Sequence, residues 1–225
     1  MQDWVHVEQP DGDGPFPVIV FFHHGPGFDA GSEEAARMIA DQGYFVVAPD
    51  RYRRFEPWTE ETDRERRMEM FVGTTDEHVE EDVGLILSAL ADEPAARDGR
   101  MGCIGYCIGG RSVLRTMANH PDVFTGGVGL HPSMCVTDDA NSPHLAVPGL
   151  PGQLYLGFGA EDQMQSVAMH QPLIEATGEL GDRGIVEIHE GADHGFAVPG
   201  SERYHEAAAR RSYDQAFALW DRAVR

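Results

Sequence analysis

The chain has 225 residues and a formal net charge of −21, with 41% hydrophobic and 24% charged residues. A chain of this length buries about 70% of the surface that its unfolded form exposes, so a full core requires neither disulfides nor a structural metal. Its apolar runs fall short of the roughly 18 residues that a membrane-spanning helix needs. Its acidic excess disfavours binding to nucleic acids and to anionic membranes.

Three cysteines are present, Cys103, Cys107 and Cys135. An odd and sparse set argues against a disulfide framework and is compatible with a reactive thiol. The first residues lack a basic segment followed by an apolar run, so we expect a cytoplasmic protein. With no internal repeat or low-complexity linker, residues 1–225 are expected to form a single domain that acts as a monomer or a small homo-oligomer.

Short apolar runs and helical patterns alternate along the chain. Six runs predict strands buried on both faces, at residues 18–22, 44–48, 101–105, 127–130, 153–158 and 185–188. Helical spacing predicts helices over 33–42, 76–91, 108–119, 166–180 and 202–224, and the charge-rich window 51–67 is predicted to be a long connection. This alternation indicates an α/β fold with a mostly parallel central sheet and helices on both faces. Ligands bind such sheets beyond the carboxyl ends of the strands.

A nucleophile elbow is indicated at residues 105–110, where Gly-Tyr-Cys-Ile-Gly-Gly follows a predicted strand and opens a predicted helix. Cys107 takes the place that serine has in most such motifs. The flanking glycines have a physical reason, because the turn is strained and a Cβ at either position would crowd the neighbouring chain. The helix N-terminus also lowers the pKa of a thiol. A buried structural cysteine is the alternative interpretation of this segment alone.

A thiol nucleophile needs a base and a residue that orients the base, and in α/β-hydrolases these follow the nucleophile as acid and then histidine. Asp162 and His194 meet this order, each just beyond a predicted strand. Glu161 competes with Asp162 as the acid, and Asp193 is a weaker candidate because it directly precedes the histidine. No catalytic or ligand role is assigned to six other histidines: His120, His131, His144, His170, His189 and His205.

An oxyanion hole requires the backbone N–H after the nucleophile and a second N–H from the loop after an early strand. Ile108 supplies the first, and Gly25 in the run His23-His24-Gly25-Pro26-Gly27 is the natural second. The two adjacent histidines do not predict a metal site, because consecutive side chains on an extended segment point apart and no third ligand has recognisable spacing. Dinucleotide and Walker A motifs are also missing, so we expect no metal and no cofactor.

These motifs resemble the dienelactone hydrolase family of α/β-hydrolases over roughly residues 18–196. The shared features are the elbow at 105–110, Asp-Gln-Gly-Tyr and Ala-Pro-Asp within 41–50, the loop around Asp162, and Glu-Gly-Ala-Asp-His-Gly-Phe at 190–196. The resemblance implies an α/β-hydrolase fold and a triad of Cys107, Asp162 and His194, in agreement with the assignment made from the residues. It implies a small-molecule carboxylic ester or enol lactone as substrate.

Two positions depart from the family pattern. The type enzyme of the family has a glutamate that helps to ionise the cysteine where this chain has His24, and an arginine that binds the substrate carboxylate where it has Val198. His24 is therefore a candidate for thiol activation. A second family arginine falls in a region with three candidates here, Arg64, Arg66 and Arg67. Those side chains fit a solvated helix face equally well.

The missing arginine favours a neutral or less charged ester or lactone, because charge-assisted pairs are the strong polar contacts. Five aromatic residues are candidates for lining the pocket, although each fits an ordinary core equally well: Phe28, Tyr52, Trp58, Tyr106 and Phe196. A general carboxylesterase and a non-catalytic binding protein of the same fold remain open as alternatives. A redox role for Cys103 and Cys107 is disfavoured, because three residues separate them instead of two.

Overall fold

The computed structural model describes residues 2–56 and 62–225. Within these residues the chain forms seven strands: β1 (Val5–Glu8), β2 (Val18–Phe22), β3 (Phe45–Pro49), β4 (Met101–Tyr106), β5 (Phe124–Leu130), β6 (Gln153–Gly159) and β7 (Gly184–His189). They make a single sheet in the order β1-β3-β2-β4-β5-β6-β7. All neighbours are parallel except β1, which pairs antiparallel with β3. The mostly parallel sheet predicted from the sequence is confirmed.

The six predicted strands correspond to β2 through β7, whereas β1 was not predicted. Strand β1 has four residues, pairs on one side only, and leaves its side chains exposed or half-buried. A short edge strand of this kind carries no continuous apolar run, so the pattern that identifies buried parallel strands does not detect it.

The described residues also form six α-helices: α1 (Ala30–Ala40), α2 (Arg64–Gly73), α3 (Asp76–Leu90), α4 (Ile108–Asn119), α5 (Gln171–Gly178) and α6 (Glu206–Ala223). Helix α2 begins within the window 51–67 that was predicted to be a connection, so that expectation is corrected from Arg64 onward, and residues 57–61 of the window lie outside the described residues. Helix α2 buries only Met70, so it shows little helical periodicity. Helix α5 is shorter than predicted because residues 167–170 form a 3₁₀ turn and Pro172 lies in its first turn.

Two apolar layers lie on opposite faces of the sheet. Along β2 the side chains alternate, so that Val18, Val20 and Phe22 face one layer and Ile19 and Phe21 face the other. Helices α3, α4 and α5 cover the first face, and α1 and α6 cover the second. None of the helices in the described ranges is long and apolar enough to cross a membrane.

Candidate active site

Cys107 lies at the sharp turn between β4 and α4, with φ 52° and ψ −118°. A side chain in this left-handed region is strained, and such strain is typical of functional turns. The glycines on either side are required by close approaches. A Cβ on Gly105 would lie 2.1 Å from the carbonyl oxygen of Gly109, and a Cβ on Gly109 would lie 2.1 Å from the carbonyl oxygen of Phe22. The turn therefore presents the Cys107 thiol at the carboxyl end of the sheet.

His194 and Asp162 are joined by a short hydrogen bond between two loops that follow β7 and β6. Nδ1 of His194 lies 2.7 Å from Oδ2 of Asp162, and both side chains are buried. The other carboxylate oxygen, Oδ1, accepts the backbone N–H groups of Met164 at 2.9 Å and Gln165 at 2.7 Å. Burial acts to raise the pKa of Asp162, but these partners outweigh it and lower that pKa, so the carboxylate is ionised.

The competing acids lie elsewhere. Glu161 is exposed to solvent. Asp193 accepts the backbone N–H of His194 at 2.6 Å, and its second oxygen lies 3.5 Å from Nε of Arg203. Of the three carboxylates that the sequence left open, Asp162 is the one that binds the imidazole of His194.

Cys107 and His194 shift each other's pKa. Burial acts to raise the pKa of the Cys107 thiol, but His194, the Ser133 hydroxyl and the N–H of Ile108 stabilise the thiolate and lower it. Burial acts to lower the pKa of His194, but Asp162 and Cys107 outweigh it and raise that pKa to about 9. The two shifts favour a thiolate beside an imidazolium. Nε2 of His194 is buried and has no hydrogen-bond partner among the described residues.

A cavity of about 680 Å³ opens above these groups. Cys107, His194 and Ser133 line it, together with His24 and Gly25 from the loop after β2. The rest of the lining includes four apolar side chains and four polar ones: Pro26, Phe71, Met134 and Met164, then Gln165, Ser201, Glu202 and Arg203. The volume and the mixed lining suit a small organic molecule.

The loop after β2 is held in place from both sides. The hydroxyl of Tyr52 donates to the carbonyl oxygen of Gly25 at 2.6 Å. Nε2 of His24 lies 2.8 Å from Oδ2 of Asp29, whose other oxygen caps the N-terminus of α1. His24 therefore lines the cavity while its ring is paired with Asp29.

Four of the five predicted aromatic residues lie within the described residues, and none of these four lines the cavity. Tyr52, Tyr106 and Phe196 are almost fully buried, and Phe28 stacks on His6 at 4.0 Å. Tyr52, Tyr106 and Phe196 belong to the core, and Phe28 packs beside it. The expectation that these four side chains line the pocket is therefore corrected. Trp58 lies outside the described residues.

The three upstream arginines are on α2 and do not line the cavity. Arg64 and Arg66 are exposed, and Arg66 pairs with Glu69 at 3.0 Å. Nε of Arg67 donates to the carbonyl oxygen of Thr62 at 2.6 Å. Arg64 and Arg66 therefore lie on a solvated helix face, which was the alternative that the sequence allowed.

Two residues beside Cys107 and His194 were not identified from the sequence, His131 and Ser133 in the loop after β5. His131 is buried, and neither ring nitrogen has a hydrogen-bond partner among the residues that the structure describes. Its ring lies 4.9 Å from that of His194, and burial holds its pKa well below the usual range. Their position in the sequence could have identified His131 and Ser133. They directly follow β5, which is the parallel neighbour of β4, the strand that leads into the elbow.

Known proteins resemble this chain in sequence along most of its length. The sequence profile described as "Dienelactone hydrolase family" matches residues 5–224. A carboxymethylenebutenolidase from Pseudomonas putida is 27% identical over 205 residues, which cover 87% of this chain and 81% of that protein.

Solved structures share the fold. The crystal structure of a candidate dienelactone hydrolase from Klebsiella pneumoniae superimposes with a TM-score of 0.86 at 22% identity, covering 97% of this chain and 92% of that one. A dienelactone hydrolase-like promiscuous phosphotriesterase from metagenomic libraries gives a TM-score of 0.80 at 19% identity, covering 98% and 92%. With the profile matching nearly the whole chain, the protein belongs to the dienelactone hydrolase family of α/β-hydrolases.

Proposed function

We propose that this protein hydrolyses a small-molecule carboxylic ester or lactone through a cysteine acyl-enzyme. The observation that carries the proposal is that the Cys107 thiol, at a strained elbow, and the Asp162-bound imidazole of His194 line one cavity of about 680 Å³. Membership of a hydrolase family supports the reaction class. The relative named carboxymethylenebutenolidase supports a lactone among the substrates.

In the first half of the reaction the Cys107 thiolate attacks the carbonyl carbon of the substrate. The carbonyl electron pair moves to oxygen, and the resulting oxyanion is stabilised by the N–H groups of Ile108 and Gly25. Collapse of the tetrahedral intermediate breaks the bond to the leaving alkoxide or enolate, which takes the proton of the His194 imidazolium. The products of this step are an acyl thioester on Cys107 and a neutral His194.

In the second half a water molecule gives a proton to His194 and attacks the thioester carbon. The carbon–sulfur bond breaks, the acid leaves, and the thiolate beside an imidazolium is restored. Asp162 keeps the ring oriented throughout and stabilises it whenever it is charged.

The leaving group decides which esters react well. A thiolate is a better leaving group than an alkoxide, so a tetrahedral intermediate formed on Cys107 returns to the substrate unless the other leaving group is also stable. Enol lactones, aryl esters and thioesters release stabilised anions. They are therefore expected to react faster than simple alkyl esters.

The charge around the cavity favours substrates that lack a carboxylate. Val198, at the position of the family arginine, is buried and apolar. Arg203 also lines the cavity, but its side chain is half exposed and its Nε is 3.5 Å from Oδ2 of Asp193. The walls formed by Phe71 and Met134 suit an apolar acyl or leaving group.

Intact-mass spectrometry after brief exposure to p-nitrophenyl acetate and to an enol lactone tests the proposal. We expect an acyl adduct that is absent in C107A protein, disappears with time in the wild type, and persists in H194A protein because deacylation needs the base. A protein that forms no adduct and turns over neither compound would instead be the non-catalytic binding protein of the same fold. Turnover that C107A protein retains would exclude the cysteine mechanism.

A further inference from the structure

Ser133 lies against the elbow because of the sheet register. Strands β4 and β5 are parallel neighbours, and Tyr106 at the end of β4 pairs with Leu130 at the end of β5. The chain after β5 therefore passes beside Cys107. The backbone N–H of Ser133 donates to the carbonyl oxygen of Cys107 at 2.9 Å, which fixes the two residues relative to each other.

The Ser133 side chain faces the sulfur atom. Oγ of Ser133 lies 3.1 Å from Sγ of Cys107. Among the described residues, the sulfur of Cys107 is the hydrogen-bond partner of the Ser133 hydroxyl. Ser133 is buried and lines the cavity beside Cys107 and His194. A hydroxyl donates one hydrogen bond, and a thiolate accepts but cannot donate. When Cys107 is ionised, the hydroxyl of Ser133 must therefore be the donor.

We propose that Ser133 is a catalytic residue whose hydroxyl donates a hydrogen bond to the Cys107 thiolate before substrate binds, an inference that rests on the proposed function. The thiol proton resides on His194 in that state, the electron pair stays on sulfur, and Ser133 keeps its own proton. His24 stands where the type enzyme of the family has a carboxylate that helps to ionise the cysteine, and the bond from Ser133 stabilises the resting thiolate without that carboxylate. Substrates therefore need no charged group to switch the thiol on, and neutral esters and lactones are the substrate class that fits.

Several other groups surround Cys107, and most hold one charge state near neutral pH. Burial lowers the pKa of His131 far enough to keep it neutral, and burial raises the pKa of both Cys135 and Tyr52 to about 12. Arg51 keeps its charge because arginine does not deprotonate in proteins. Asp162 lies behind His194 and is ionised.

His24 is the remaining ring beside the cavity, and it is paired with Asp29. The inference is tested below through the pH dependence of Cys107 alkylation, and each such measurement can be repeated in an H24Q background to remove any contribution of His24. A midpoint of the alkylation rate that persists in this background belongs to Cys107 and His194.

The rate of Cys107 alkylation by iodoacetamide, followed by intact mass from pH 4 to 10 without substrate, tests the inference. The thiolate displaces iodide, so the rate reports ionisation. Because hydrogen bonds to charged groups contribute about 1.5–3 kcal/mol and one pKa unit corresponds to about 1.4 kcal/mol, S133A protein should show a midpoint about one to two pH units higher. S133T protein keeps the hydroxyl and should retain the wild-type midpoint.

The matched control is S142A. Ser142 is a buried serine of the same loop, and its hydroxyl bonds the N–H of Thr137 at 2.8 Å. It should leave the midpoint unchanged, with circular dichroism used to verify that each variant is folded. An unshifted S133A midpoint, or an equal shift in S142A, would overturn the role of Ser133. Because no ester is used, this result is independent of the acyl-adduct experiment that tests the proposed function.

Discussion

Nδ1 of His194 is 2.7 Å from Oδ2 of Asp162, while Nε2 of the same ring is buried without a hydrogen-bond partner among the described residues. A neutral imidazole carries a single N–H, and the bond to the carboxylate keeps that proton on Nδ1. Nε2 is then the basic nitrogen. It is free to exchange a proton with the thiol, the leaving group or water.

Asp162→Asn should lower kcat by up to about 10⁴-fold, the loss seen when a triad carboxylate becomes an amide. An asparagine can still accept the N–H groups of Met164 and Gln165 through its oxygen, but its NH₂ group then faces His194 and favours the wrong tautomer. Steady-state kinetics with p-nitrophenyl acetate measures the loss. Glu161→Gln is the control, because Glu161 is exposed, and it should keep wild-type kcat. An equal loss in both variants would contradict the assignment of Asp162.

The pH profile of kcat/KM should be bell-shaped. The lowered pKa of Cys107 means that the thiolate is lost as the pH falls through a value below the ordinary thiol pKa of about 8.5. The raised pKa of His194, about 9, means that the imidazolium which protonates the leaving group is lost as the pH rises through that value. Activity should therefore be highest between the two. A single rise with a midpoint near 8.5 would show that the free protein holds no such ion pair.

The sequence predicted the parts of the fold and site that have a local physical cause. Buried parallel strands need continuous apolar runs, and the elbow at Cys107 needs glycines because of the 2.1 Å approaches that a Cβ would make. The expected order of acid and histidine along the chain also identified Asp162 and His194. The two residues meet because they follow parallel neighbouring strands, whose carboxyl ends lie at one edge of the sheet.

The cavity wall had no comparable signal. Phe71 comes from α2, a helix with one buried residue and hence little periodicity, and Met134 comes from a loop. Tyr52 and Phe196 were plausible lining residues because their size and chemistry suit a pocket, but the same properties suit the core, where they lie. The role of Ser133 depends on a distance across two loops, and no spacing along the chain encodes that distance.

Tyr52→Phe should lower kcat by about tenfold, which corresponds to about 1.4 kcal/mol of transition-state stabilisation. The hydroxyl of Tyr52 donates to the carbonyl oxygen of Gly25 at 2.6 Å, and its loss loosens the loop that is proposed to supply an oxyanion N–H. The alkylation rate of Cys107 should stay near the wild-type value, because the thiolate partners are untouched. Kinetics and alkylation on the same preparation separate the two effects.

Tyr44→Phe is the matched control for that variant. The Tyr44 hydroxyl bonds Asp221 at 2.9 Å, in the layer formed with α6. Its loss should leave kcat unchanged. If Tyr44→Phe lowered kcat as much as Tyr52→Phe, the support of Gly25 would not be the cause.

Gly109→Ala should destabilise the protein by about 2–4 kcal/mol and lower kcat, because the new Cβ would meet the carbonyl oxygen of Phe22 at 2.1 Å and push the elbow away from β2. Gly84→Ala offers the opposite case on α3, where a Cβ meets nothing within 4 Å. That change should stabilise the protein by about 0.5–1 kcal/mol, since alanine favours a helix over glycine. Urea unfolding measures both free energies. A Gly109→Ala protein as stable as the wild type would mean that the elbow is not fixed against β2, and the strain at Cys107 would then need another cause.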